Sequence, residues 1–284
     1  MLTHPIFLNI LMHSDDELAE ALGSGVARRE NVHEWPLSCV QMLQLDNGAK
    51  LAYKSQLPPT EEADFYERAT SKLLPGHRVL GKLGACDTMV IEWIDAPLLS
   101  RLELSDTELA EHGKRIIALI GEIEGELPAY LNIGSSEAWS DAVQITVERL
   151  GKLVMDGRFR LADPDAVRHT EAWSKSPAVR EAVACKPHVI HGDLKADQVF
   201  VTADGYRVID WQRPIVAPPD VDLVSLMVGQ GIDPYRFADA AAVGIFWFLR
   251  LYWAVEAQYN LFPGGRRPLF DQWASEAIGH ILKI

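Results

Sequence analysis

The stretch HGDLKADQVF, residues 191–200, is followed closely by VIDWQ, residues 208–212. Together they hold Asp193, Lys195, Gln198 and Asp210: two carboxylates, an ammonium and a carboxamide close together in the chain. Phosphoryl transfer from a nucleoside triphosphate asks little covalent work of a protein. It needs a carboxylate to orient or deprotonate an acceptor hydroxyl, oxygen ligands for Mg2+, and cations over the phosphates. These four side chains supply those groups, provided the chain folds back between them.

The intervening residues read as such a fold-back. VFVTADGYRVID (199–210) is strand, Asp204-Gly205 turn, strand, and Asp-Gly is a favoured hairpin turn. Upstream, the apolar runs VQMLQL and KLAYKSQ are joined by Asp46-Asn47-Gly48, which predicts an antiparallel hairpin between residues 30 and 56. PPTEEADFYERATSKLLPG (58–76) predicts a single helix with an acidic first turn, Phe65, Ala69 and Leu73 on one face, and a glycine stop. Strand character returns over 77–94, ending in TMVIEWI. From about residue 96 helices dominate: Ser105 and Glu108 form a capping-box pattern ahead of Ile116, Ile120, Ile123 and Leu127, and Val143, Val147, Leu150 and Val154 repeat the spacing. The expectation is an α+β chain, with a small antiparallel β lobe over 1–94, a hinge at about 91–95, and a larger, mainly helical lobe over 95–284 that contains the second hairpin.

Composition narrows the function classes. At 284 residues there is room for one or two domains and a substantial core, and 48% apolar against 24% charged residues is the balance of a globular chain. A formal charge of −13 argues against a surface that neutralises a phosphate backbone, so nucleic acid is excluded as an expected partner; the same charge favours encounter with cationic small molecules. Cys39, Cys86 and Cys185 are odd in number, far apart and without a CxxC, which suggests neither a disulfide framework nor a zinc site. MLTHPIFLNILM has no basic n-region and is too short to span a bilayer. AAAVGIFWFLRLYWAV (240–255) is also below spanning length and carries Arg250, so it predicts a buried core helix. No membrane partner and a cytoplasmic location are expected; the oligomeric state is left open.

The order of these motifs resembles the aminoglycoside phosphotransferase family of small-molecule kinases, which share the protein-kinase-like fold. That family's pattern is H-G-D, an asparagine five residues after the aspartate, and I-D at the metal-binding aspartate. His191, Gly192, Asp193 and Asp210 match it, and Asp210 follows Asp193 by seventeen residues. The resemblance implies a two-lobed kinase-like fold, ATP or GTP with Mg2+, and a small-molecule hydroxyl acceptor. It makes Asp193 the catalytic base, Asp210 the principal Mg2+ ligand and His191 a brace for the loop. It also implies that Lys54, in KLAYKSQ, reaches the α and β phosphates and is held by a glutamate of the next helix. Glu67 is the expected partner, because the family's glutamate usually precedes the apolar helix face; Glu61, Glu62 and Asp64 compete for the role. MVIEWI resembles the hinge, where the backbone carbonyl of Glu92 and amide of Ile94 would bind adenine. Asp222, in PPDVDLVSL, reads as structural, capping and bracing a helix.

Three features depart from the pattern. Lys195 makes the D-L-K of protein kinases and suits neutralisation of the transferred phosphate. Gln198 replaces the metal-binding asparagine and reaches farther by one methylene, about 1.5 Å, a difference to which metal geometry is sensitive. The nucleotide-covering loop has Trp35, Pro36 and Leu37 at its tip and no GxGxxG. Acidic residues hold cationic acceptors in this family, and Glu256 and Asp271 are the candidates. The reading is an ATP- and Mg2+-dependent phosphotransferase acting on a hydroxyl of a small molecule. A nucleotide-binding pseudokinase is the alternative, motivated by Gln198 and the glycine-poor loop and opposed by intact Lys54, Asp193 and Asp210. A protein kinase is disfavoured because RPIVAPPDVDL leaves little room for an activation loop.

Overall fold

A computed structural model describes residues 1–284 and divides them into two units. One comprises Met1–Glu103, Glu122–Tyr130 and Ala196–Pro214; the other comprises Leu104–Gly121, Leu131–Lys195 and Ile215–Ile284.

The first unit opens with a short ribbon, β1 (Leu2–Thr3) and β2 (Leu11–Met12), and the helix α1 (Asp15–Leu22). Strands β3 (Val26–Trp35), β4 (Ser38–Leu45) and β5 (Lys50–Gln56) follow as a meander, then helix α2 (Glu62–Arg68) and strands β6 (His77–Leu83) and β7 (Cys86–Glu92). The five strands form one antiparallel sheet in the order β3-β4-β5-β7-β6. The turn between β4 and β5 is the expected Asp46-Asn47-Gly48, with Gly48 at φ 85°, where a side chain would be strained.

Strand periodicity sets which way β5 points its side chains. Successive residues face opposite sides of a sheet. Tyr53 and Ser55 bond back to the N-terminal segment, through His13 N and Leu11 O, and Tyr53 joins Cys39, Leu43, Cys86 and Val90 in one apolar cluster. Lys54, between them, projects to the other face, where α2 lies.

Helix α2 is shorter than its sequence pattern predicts. It ends at Arg68, and Ala69 is already extended, because Thr70 exchanges both backbone hydrogen bonds with Glu124. A single cut at residue 94 also fails to describe the first unit. Leu98 bridges Phe200, Val201 N donates to Pro97 O and Val208 N donates to Leu73 O, so residues 95–103 and the 196–214 hairpin belong with the β-rich unit.

In the second unit, helix α3 (Asp106–Ile120) begins with the predicted box, Ser105 and Glu108 each bonding the other's backbone. It stops at Gly121, so Ile123 and Leu127 lie beyond the helix. Strand β8 (Leu131–Asn132) precedes helices α4 (Ser136–Met155), α5 (Pro164–Ser174) and α6 (Pro177–Val183). Strand β9 (His188–Ile190) leads into the 191–195 loop. The first unit's hairpin, β10 (Val199–Thr202) and β11 (Gly205–Val208), comes next in the chain. Strand β12 (Ile215–Ala217) then pairs with β8 and β9, and helices α7 (Asp220–Gly229), α8 (Ala240–Glu256) and α9 (Pro268–Ile281) complete the chain.

Helix α8 is the centre of this unit's core. Val243, Ile245, Phe248 and Leu251 are fully buried, among Trp139, Leu150, Val183 and Ala274. The helical path continues through Ala257–Leu261, so the segment reaches 22 residues, long and apolar enough to cross a membrane by length and composition. That exceeds the span read from sequence; its side chains are those of a core helix.

Candidate active site

Lys54, Glu62, Asp210, Gln198 and Gln212 meet within the first unit. Lys54 Nζ lies 2.7 Å from each carboxylate oxygen of Glu62 and 3.1 Å from Oδ1 of Asp210. Glu62 is fully buried and Lys54 nearly so. Burial lifts the Glu62 carboxyl above its ordinary range, opposed by the adjacent ammonium. Burial would also depress Lys54, but Glu62 and Asp210 together outweigh it and raise the ammonium to about 12.

The partner of Lys54 is therefore Glu62 and not Glu67. Helix geometry explains the correction. Glu62 shares its face with Phe65 and Tyr66, three and four residues on, both buried; Glu67 is five residues on, about 140° around the helix, and is exposed. A glutamate inside the apolar face reaches the sheet, and one after it reaches solvent.

Asp210 is set by backbone and ring contacts. Ile209 N donates to Gln198 O, Glu61 N donates to Gln212 O, and the Trp211 ring stacks on Phe65 at 4.3 Å with an 8° interplanar angle. Held from both sides, Asp210 adopts φ 74°, a left-handed conformation uncommon outside glycine that costs about 1–2 kcal/mol. Such strain at a chemically equipped residue marks a site whose surroundings over-determine it.

The Asp210 carboxylate also accepts from Gln198 Nε2 at 3.2 Å and from Gln212 Nε2. Gln212 was not singled out by the sequence pattern; its position two residues after the aspartate in VIDWQ was the available signal. Turning either carboxamide about its Cγ–Cδ bond presents oxygen where nitrogen stands, since the two ends differ little in shape. A carboxylate with amide oxygens is a set that suits Mg2+, which takes few protein ligands and completes its shell with phosphates and water. No group of three or more His, Cys, Asp or Glu side chains is arranged to hold a metal ion.

Glu92 and Ile94 line a cavity of about 450 Å³ in the same unit, together with Trp93, Asp95, Val201 and Arg207. Pro36 and Leu37 form the turn between β3 and β4, whereas Trp35, read with them at the tip, is the last residue of β3 and pairs with Ser38.

The second unit carries Asp193 and Lys195. Lys195 Nζ lies 2.8 Å from Asp193 Oδ2, and Arg250 Nη1 of α8 lies 3.7 Å from Asp193 Oδ1. The loop ahead of Asp193 is fixed by Asp222, fully buried on α7, which accepts from His191 N at 2.8 Å and Gly192 N at 2.9 Å. Gly192 at φ 82° makes the turn into Asp193. Asp222 is structural, as expected, although it braces this loop and makes no cap to its own helix. Glu256 and Asp271 are both engaged in protein contacts: Glu256 pairs with Arg149 and Asn260, and fully buried Asp271 accepts from Arg160 N, Leu161 N and Arg266.

A family model described as "Phosphotransferase enzyme family" matches residues 50–255. Comparison with curated proteins gives no match. Among solved structures, the chain is similar to a thermostable variant of aminoglycoside phosphotransferase APH(4)-Ia in ternary complex with AMP-PNP and hygromycin B: 16% identity, TM-score 0.64, covering 95% of this chain and 97% of that one. It is also similar to macrolide 2'-phosphotransferase MphH from Brachybacterium faecium, with 14% identity, TM-score 0.60 and coverage of 92% and 95%. Spectinomycin phosphotransferase APH(9)-Ia in complex with ADP and spectinomycin matches at 13% identity and TM-score 0.55, over 96% and 98%. At these identities the likeness is one of fold: the α+β fold of small-molecule phosphotransferases.

Proposed function

The chain belongs to the phosphotransferase enzyme family, and from that premise we propose that it transfers the γ-phosphoryl group of ATP, with Mg2+, to a hydroxyl of a small molecule. The observation that carries this reading is the Lys54 ammonium bonded at once to Glu62 and Asp210. A lysine clamped by a helix glutamate and standing beside a metal-binding aspartate is what phosphate positioning requires.

The roles follow from charge and placement. Lys54, held by Glu62, binds the α and β phosphates. Asp210 with Gln198, and Gln212 beside them, would hold Mg2+, which when bound neutralises phosphate charge. The adenine sits in the cavity lined by Glu92 and Ile94. Asp193 orients the acceptor hydroxyl and takes its proton as the acceptor oxygen bonds to the γ-phosphorus; the bond to the β–γ bridging oxygen breaks and ADP leaves. Lys195, 2.8 Å from Asp193, offsets negative charge on the group in transit. The nucleotide complexes of the similar structures APH(4)-Ia and APH(9)-Ia support the nucleotide part of this reading.

Mass spectrometry of pooled hydroxylated sugars, amines, acids and antibiotics after incubation with the protein, ATP and Mg2+ tests it. A phosphorylated product that is absent with Asp193→Asn supports the reading. Product formed equally by Asp193→Asn removes Asp193 from the chemistry.

A further inference from the structure

Resting on that phosphotransfer reading, we propose that the acceptor is a small hydroxyl compound bearing an oxyanion group, a carboxylate or a phosphate ester, and that Arg250 binds this group. The charges around Asp193 in the helical unit carry the inference. Each carboxylate oxygen of Asp193 faces a cation, Lys195 at 2.8 Å on Oδ2 and Arg250 at 3.7 Å on Oδ1. An amine brought beside the base would meet both.

Glu256 and Asp271, the candidates for holding an amine, are committed elsewhere, and so is Asp222. Asp271 has no exposure and accepts from two backbone amides and Arg266; Glu256 pairs with Arg149 and Asn260; Asp222 is buried under the loop and accepts from His191 N and Gly192 N. The net charge of −13 governs encounter at long range, whereas the cations beside Asp193 govern what binds there.

Arg250 is placed to take an oxyanion. It is the one basic residue in the apolar helix AAAVGIFWFLRLYWAVE and is half-buried. Its guanidinium carbon stands 5.9 Å from the Trp273 ring centroid, which backs it from one side. At 3.7 Å the Asp193 contact is too long for a hydrogen bond, so the planar fork of N–H donors remains available to match a carboxylate or phosphate edge. The acceptor's hydroxyl then lies at Asp193 and its acid group at Arg250.

Matched probes of similar size test this: gluconate and glucose 1-phosphate as the two kinds of acid, glucose as neutral, and glucosamine and kanamycin as amines. Each is assayed with ATP and Mg2+ by product mass and by kcat and KM, for the native chain, Arg250→Gln and Arg250→Lys. The expected result is preferred phosphorylation of an acid probe, a rise of about tenfold or more in its KM with Arg250→Gln, and partial recovery with Arg250→Lys. Which acid is preferred separates carboxylate from phosphate. Preference for neutral or amine probes, or an acid preference that Arg250→Gln leaves intact, overturns this proposal while phosphotransfer stands. No product from any probe counts against the phosphotransfer reading itself, and this proposal falls with it.

Discussion

Lys54 Nζ touches both carboxylate oxygens of Glu62, eight residues away, and one oxygen of Asp210, 156 residues away. One ammonium thus joins a central strand, the first turn of a helix and the loop after a distant hairpin. Removing one member of a buried pair leaves an uncompensated charge, whereas replacing both with apolar side chains is often nearly neutral. Lys54→Met is expected to lower stability by about 3–5 kcal/mol, and Lys54→Met with Glu62→Leu to recover much of that loss while still binding nucleotide poorly. Denaturant titration and nucleotide titration of the same two variants check this. A double variant as unstable as the single one would mean that the unpaired Glu62 is not what destabilises it.

The raised Lys54 pKa gives a stability dependence at high pH. Its folded value, about 12, stands above its ordinary 10.5, so the group binds its proton more tightly in the folded chain. The resulting stability is fully present below about pH 10.5 and is lost as pH rises toward 12. The stability gap between the native chain and the Lys54→Met, Glu62→Leu variant should therefore move against the native chain across that window. Tyr53, held near 12 by burial, and Cys39, near 11 for the same reason, titrate in both proteins and cancel in the comparison. Urea titrations at half-unit steps from pH 9 to 12 measure it; a constant gap would show that Lys54 gains nothing from its two carboxylates.

Local patterns carried most of the fold into the sequence. The Asp46-Asn47-Gly48 turn, the hairpin around Asp204-Gly205 and the Ser105–Glu108 box are set by neighbours in the chain; the first and last appear as read, and the hairpin turns one residue earlier, at Ala203-Asp204, with Gly205 already paired to Thr202. The early end of α2 and the setting of Gln212 depend on contacts far away in sequence, and the choice of Glu62 over Glu67 on helix geometry. Helix α2 stops at Arg68 because Thr70 pairs with Glu124, which nothing in residues 58–76 announces. Glu67 faces solvent because it lies about 140° around the helix from Glu62, which leaves Glu62, a charge amid apolar positions, to reach Lys54. Gln212 lies two residues from Asp210 in the chain, and the Trp211–Phe65 stack and the Glu61–Gln212 bond, both distant in sequence, help to fix the loop that carries them. Asp193, Lys195, Gln198 and Asp210 were legible because they lie on one short stretch of chain. Arg250 was legible only as a charge that a core helix would have to accommodate.

Asp222 offers a test of loop bracing. Its carboxylate takes the backbone N–H groups of His191 and Gly192, the two residues before Asp193. Asp222→Ala leaves both donors without that acceptor, an expected loss of about 1–3 kcal/mol for each, and kcat should fall at least about tenfold as Asp193 loses its position. Asp222→Asn keeps one acceptor oxygen and should fall between. Burial also lifts the Asp222 carboxyl above its ordinary range. A raised folded value contributes stability that is present at low pH and lost as pH rises through it, so the native chain should lose ground to Asp222→Asn on going from acid toward neutral pH. Equal kcat in all three proteins would separate Asp222 from catalysis and leave it a folding role alone.

If Asp210 holds Mg2+ as proposed, Gln198 and Gln212 should decide how it does so. Both donate to its carboxylate, and both must turn their carboxamide oxygens outward to serve Mg2+. If they do, Asp210→Ala should abolish the Mg2+-dependent part of nucleotide affinity, and Gln198→Ala should raise the Mg2+ concentration for half-maximal nucleotide binding by about tenfold. Gln198→Asn shortens the reach by one methylene, about 1.5 Å, and should rank between native and alanine if the backbone can follow. The measurement is nucleotide titration over a range of Mg2+ concentrations, which reads metal binding without depending on the acceptor. Should Gln198→Ala and Gln212→Ala both leave the Mg2+ dependence unchanged, the carboxamides serve only to tether the strained Asp210 backbone, and that role would show instead as a loss of stability.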